Sequence, residues 1–190
     1  MGQELSEEEI IEQLKPLISE KRLRHTLGVR DTALELARIH QIDPEKARLA
    51  ALLHDCAKGF SYEDGLKLAK KAGIHDSQFL SSPPLLHGPL GAYLAKSKFG
   101  VADEDVLNAI YYHTAGRRNM SGLELCIFVA DACELTRMPY PGLEEIRTAA
   151  YQSLKEAARL ELEHTKAYVL AQGKPYSPLS CEALNWLNET

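Results

Sequence analysis

Helix punctuation recurs from end to end of this chain, with no persistent strand-like alternation between the stops. That pattern limits the possible folds more than any other feature. "SEEEIIEQLKPLI" opens on Ser6 and carries Glu9 three residues later, a capping box. Pro16 kinks or ends the helix so started. "LRHTLGVRDTALELARIH" repeats apolar residues at helical spacing. "IDPEKARLAALLHDCAK" has Asp43 as N-cap and Pro44 at the first helical position, with Gly59 as its stop. A short helix starts at Ser61. "SSPPLLHGPLGAYLAKSKFG" begins as a rigid Pro-Pro loop and turns helical to about Lys98. "ADEDVLNAIYYHT" puts its acids in the first turn, where the helix dipole favours them. "SGLELCIFVADACEL" repeats the capping box with Ser121 and Glu124. After "MPYPG", one long helix is predicted from Leu143 to Gly173, then a short one in "SPLSCEALNWLN". The fold class is all-α: a helical bundle.

The length of 190 residues suits a single domain, 1–190, with a core over about 8–172 and a helical extension over about 177–188. A net charge of -5 argues against a general nucleic-acid binder. No apolar run nears the roughly 20 residues needed to span a bilayer. Met1-Gly2 with Ser6 fits the loose myristoylation pattern, but nothing else points to a membrane. Cys56, Cys126, Cys133 and Cys181 form no C-x-x-C and read as free thiols of a reducing compartment. A cytoplasmic protein is expected. No Gly-rich loop matches a P-loop or Rossmann fingerprint, so any phosphate must be held by other means.

Of seven histidines, His40, His75 and His164 sit at a helix end, in a turn and on a charged helix, where a local or solvated role suffices. The other four border apolar helix faces. His25 lies one turn into a helix, and His54-Asp55 follow "LAALL". His87 comes after the Pro-Pro loop, and His113 closes "AIYY". Asp131 lies inside the apolar "CIFVADAC", where a carboxylate is costly unless paired or bound to a metal. Taken singly, each has an ordinary structural reading. Together they offer four imidazoles and two carboxylates, a donor set suited to a divalent transition metal: iron, manganese, zinc or cobalt. Adjacent helical residues project about 100° apart, so His54 and Asp55 can both face one interior. Asp55 alone of that pair has the two donor atoms needed to bridge two metals.

The order His25, His54-Asp55, His87, His113, Asp131 resembles the HD-domain metal-dependent phosphohydrolases. "RHTLGV", "LLHDCAK", "SPPLLHGPLGAYLA", "NAIYYHTAGRRNMSGLE" and "FVADACELTR" are similar to the YqeK-type symmetrical diadenosine tetraphosphate hydrolases of bacteria, over roughly residues 8 to 186. Two departures occur. The family's E-P-x-R reads Glu134-Leu135-Thr136-Arg137 here, and Arg118 replaces a proline of "HTxGRPNM".

The resemblance implies an HD-domain bundle with a metal centre in its core. Its ligands would be His25, His54, Asp55 and Asp131, with His87 and His113 completing a second site across Asp55. The cofactor implied is iron, one or two ions. The implied activity is hydrolysis of diadenosine tetraphosphate to two ADP. Two divalent ions against Asp55 and Asp131 leave a local charge of about +2, so the acidic chain need not repel a polyphosphate. Asp55 and Lys58 are the candidate catalytic pair, Lys58 on the same helix face three residues on. Lys58, Arg117 and Arg137 are candidate phosphate binders, with Arg22 and Arg24 weaker. The expected partner is a small nucleotide, with no nucleic acid and no membrane. "YYH" and "ALNWL" are candidate homodimer surfaces. Two alternatives stay open: a nucleotidase or (p)ppGpp-type hydrolase, and a non-catalytic nucleotide-binding protein with a structural metal site.

Overall fold

The computed structural model describes residues 5–189, and the described residues form helices with no strand among them. The Met1-Gly2 pattern lies outside this range. The helices are α1 (Glu7–Leu14), α2 (Glu20–Ile39), α3 (Pro44–Leu53), α4 (Tyr62–Ala72), α5 (Ser77–Leu80), α6 (Pro83–Ser97), α7 (Glu104–Tyr112), α8 (Gly122–Cys133), α9 (Leu143–Gln152), α10 (Leu154–Ala171) and α11 (Pro178–Glu189). Both capping boxes form, at Ser6/Glu9 and Ser121/Glu124. Asp43 accepts from the Glu45 and Lys46 amides.

α8 is the axis of the bundle. Nearly every side chain from Leu123 to Cys133 is buried, because this stretch is apolar all round. α2, α3, α7, α9 and α10 pack around it. Ile127 is fully buried there. Trimming such a residue to alanine costs about 2–5 kcal/mol. A smaller apolar cluster, including Phe79, Leu86 and Leu90, lies between α4, α5 and α6.

Four features differ from the expectation. The long helix over 143–173 is two helices. Ser153 adopts an extended conformation, caps the end of α9 and accepts the Glu156 amide as N-cap of α10. α3 stops at Leu53, short of the His-Asp pair, and residues 54–59 continue as tight turns. The His54 ring gives a reason: its Nδ1–H donates to the Ala51 carbonyl at 2.6 Å. That is the acceptor the Asp55 amide would need to extend the helix. Pro83 and Pro84 are not a loop but the first turn of α6, so His87 sits in its second turn. The "ALNWL" stretch is not a free surface: Leu184, Trp186 and Leu187 are core residues, and Tyr111 and Tyr112 are half-buried.

α6 also holds Pro89, which removes the amide that would bond the Leu85 carbonyl. The Thr114 hydroxyl donates to that carbonyl instead, at 3.3 Å. Gly88 and Gly91 let α6 approach its neighbours closely. A Cβ at Gly88 would fall 2.5 Å from the Tyr111 carbonyl oxygen, and one at Gly91 3.1 Å from that of His54.

Candidate metal centre

The packing of α2, α3, α6, α7 and α8 brings all six predicted ligand residues together. His25 comes from α2, His54 and Asp55 from the end of α3, His87 from α6, His113 from the end of α7 and Asp131 from α8. Asp55 is buried between them and divides its two oxygens. Oδ2 lies 3.5 Å from His54 Nε2 and 3.8 Å from His25 Nε2. Oδ1 lies 3.1 Å from His87 Nε2 and 3.6 Å from His113 Nε2. Asp131 Oδ1 closes the first group, 3.0 Å from His25 Nε2 and 3.9 Å from His54 Nε2. His87 and His113 meet Nε2 to Nε2 at 3.1 Å.

Backbone and carboxylate acceptors set the ring orientations. His113 Nδ1 donates to Ile110 O at 2.7 Å, the same arrangement as His54 on Ala51, and α7 likewise ends one residue before its histidine. His25 Nδ1 donates to Glu134 Oε1 at 3.0 Å. In all three, Nδ1–H is engaged outward and Nε2 points inward, the orientation that metal-bound imidazoles take.

The His54 Nε2 atom is fully buried and has no hydrogen-bond partner. A buried polar atom left unpaired is costly. A cation among these donors satisfies it, and the set of imidazoles and carboxylates without thiolate suits a divalent transition metal. The residues present therefore fit a metal ion.

The electrostatics agree. Burial alone would raise the Asp55 pKa, but His54, His113 and His87 outweigh it and hold the carboxyl well below its usual range. Burial would also raise Asp131, yet the His25 hydrogen bond, His54 and Arg137 hold it low. Burial would lower His54, but Asp55 and Asp131 raise it above the ordinary imidazole value. Both carboxylates are thus kept ionised, as ligands must be.

Sequence reasoning left Glu134 without a role and gave Arg22 a different one, and the structure places both against the cluster. Glu134 is 1% exposed and orients His25, while the Thr136 amide and hydroxyl donate to its carboxylate. Gly28 makes room for it, since a Cβ there would lie 2.5 Å from Glu134 Oε2. Arg22, ranked as a weak phosphate binder, donates to Asp55 Oδ2 at 2.8 Å.

The predicted cations divide. Lys58 Nζ lies 3.1 Å from His87 Nε2 and 3.2 Å from its Nδ1. It arrives through the turn after Asp55, with its amide bonded to Asp55 O, not from a shared helix face. Arg137 grips Asp131 through Nη2 to Oδ1 at 2.7 Å and Nε to the carbonyl at 2.9 Å. Arg117 is engaged elsewhere. It forks onto buried Glu124 at 2.7 and 3.1 Å and stacks over Tyr112. Arg24 faces Glu20 on the surface. Arg118 pairs with Glu189. His40 bonds the Ala150 carbonyl, His75 is exposed between α4 and α5, and His164 neighbours Glu145.

Comparison with known proteins adds three findings. The HD-domain family model matches residues 22–136. A Halalkalibacterium halodurans protein named "Bis(5'-nucleosyl)-tetraphosphatase, symmetrical" is 39% identical over 174 residues, covering 92% of each chain. A Bacillus subtilis protein of the same name is 37% identical over 183 residues, 96% of this chain and 98% of the other. The crystal structure of a protein described as a "predicted HD superfamily hydrolase involved in NAD metabolism", from Clostridium acetobutylicum, superimposes with a TM-score of 0.94. It is 40% identical and covers 98% of this chain and 99% of its own.

Proposed function

The chain belongs to the HD-domain family of metal-dependent hydrolases, among the YqeK-type symmetrical bis(5'-nucleosyl)-tetraphosphatases, and from that premise we propose that it hydrolyses diadenosine tetraphosphate to two ADP at the His–Asp centre. The metal ligands in this reading are His25, His54, Asp55, His87, His113 and Asp131. The metal is iron, one or two ions, a choice that rests on the family resemblance. The observation that carries the reading is the division of Asp55, with one oxygen toward His25 and His54 and the other toward His87 and His113.

Bound there, a divalent ion supplies Lewis acidity toward a phosphoryl oxygen and toward water. The chain supplies the rest. Water adds to one inner phosphorus, the middle phosphoanhydride P–O bond breaks, and the bridging oxygen leaves on the second ADP with the electron pair. Lys58, at the His87 edge, faces the charge that gathers on the leaving phosphate. Its ammonium is pulled below the ordinary lysine value by desolvation, although Asp55 and Asp131 oppose this. Arg22 and Arg137 bond Asp55 and Asp131 directly and orient them, and Arg137 helps keep Asp131 ionised.

Product analysis with metal-loaded protein tests this. Diadenosine tetraphosphate is expected to give ADP alone, and His54→Ala and Asp55→Ala to lose the reaction. AMP plus ATP would mean a different bond is cut. Full metal content with no turnover would overturn the enzyme reading in favour of a structural metal site.

A further inference from the structure

Beside the centre, the surface opens into a pocket of about 140 Å³. Lys58 and His87 form one side of it, so the pocket and the centre share a wall. Apart from Ser61, the rest is mostly aromatic, proline and aliphatic: Phe60 and Tyr62 with the Pro83-Pro84 turn of α6, and Leu86 and Leu90. Both leucines belong to the small buried cluster.

Phe60 and Tyr62 are 39% and 41% exposed, among the few large apolar side chains left open to solvent. The Tyr62 ring is held in place, since its hydroxyl donates to the Leu80 carbonyl at the end of α5. Gly65 lets α4 pack closely onto the two leucines beneath the pocket. A Cβ at that position would sit 3.2 Å from Leu86 and 3.3 Å from Leu90 side-chain carbons. A cavity on the order of 150 Å³ accepts one benzene ring. This pocket therefore takes about one six-membered ring, with its open rim leaving space for the rest of a base and ligand.

A cationic group at one end and two aromatic rings at the other, Tyr62 held by its hydroxyl, match a nucleotide, with phosphate toward Lys58 and base toward the rings. A second, larger depression of about 470 Å³, on α9 and α10, includes Glu144, Glu145 and Glu156 in its lining. Three carboxylates there repel a polyphosphate. We infer that the Phe60–Tyr62 pocket is the subsite for one nucleobase of the substrate, held by stacking. This assignment rests on the functional reading above and adds to it where the base lies.

The test is binding to the metal-loaded protein, measured by calorimetry with two probes, ADP and inorganic pyrophosphate. Loss of a base-stacking ring weakens binding by roughly 5- to 150-fold. Phe60→Ala and Tyr62→Ala are each expected to weaken ADP about tenfold and to leave pyrophosphate unchanged. Phe60→Trp, which keeps a ring, is expected to retain ADP affinity. Unchanged ADP binding in both alanine variants would overturn the assignment. So would a parallel loss of pyrophosphate, or a tryptophan variant no better than alanine. Turnover of diadenosine tetraphosphate by the wild type is read separately. Its absence would break the functional reading, while the ADP-against-pyrophosphate comparison would still decide the pocket.

Discussion

On its Oδ2 side Asp55 faces a braced neighbourhood, and on its Oδ1 side a looser one. Arg22 fixes Oδ2 itself, Glu134 fixes His25, Arg137 fixes Asp131 and the Ala51 carbonyl fixes His54. Across the carboxylate, His113 is held by Ile110 O, but among the described residues the Nδ1 of His87 bonds the Lys58 ammonium alone. A lysine is a flexible point charge, whereas arginine forks and buried carboxylates hold a geometry. The braced half is oriented before an ion arrives; the other half is completed by what it binds. Two ions, if both are taken up, should therefore differ in affinity.

The largest test of that contrast removes what both halves share. Asp55→Ala should abolish metal retention, read by elemental analysis, and cut turnover by more than the roughly 100-fold that loss of an outer partner costs. Metal content near the wild-type level in this variant would remove Asp55 from the centre altogether. Next in size is a pair. His54→Ala should empty the braced half, while His87→Ala should still hold one ion per chain. Equal losses in the two would mean that the halves are one indivisible site.

Glu134→Gln probes the bracing alone. Loss of the carboxylate behind His25 should weaken metal binding about 10- to 100-fold, measured by competition with a chelator. If affinity holds, His25 needs no support from Glu134. The smallest effect is with pH. His54 is held above the ordinary imidazole value, so an ion entering the braced half must displace a proton there. Affinity should fall as pH drops through that raised value, by at most about tenfold per unit per proton, and level off above it. Burial pushes His87 down to about 4, against the pull of Asp55, so its proton does not compete at neutral pH. A weakly buffered metal titration counts the protons released. None released near pH 7 would contradict the raised value at His54.

The parts of this molecule that can be read in the sequence carry their signal locally. Asp131 stands out because it interrupts an apolar run, and His54, His87 and His113 because they border such runs. Caps announce helix starts in the same way. Glu134 shows only through the E-P-x-R resemblance, which gives it no role. It looks like one more acid in a charged segment, and nothing near it tells that Gly28, far back on α2, leaves it room. Arg22 reads as a surface arginine until α2 and α3 are packed together. The break at Ser153 contains neither proline nor glycine, and the apolar spacing runs on across it. The end of α3 depends on a side chain taking a backbone acceptor, which spacing does not encode.

Gly88 and Gly91 tie the site to the rest of the molecule. The close packing of α6 against the Tyr111 and His54 carbonyls sets where the backbone on either side of His87 lies. Assembling the hydrophobic core and gathering the donor atoms are then a single event. Small metal-dependent domains follow the opposite order, remaining unfolded until the ion draws their ligands in. Here the ion is a late tenant of a house already built: chelation should strip it and leave the walls standing.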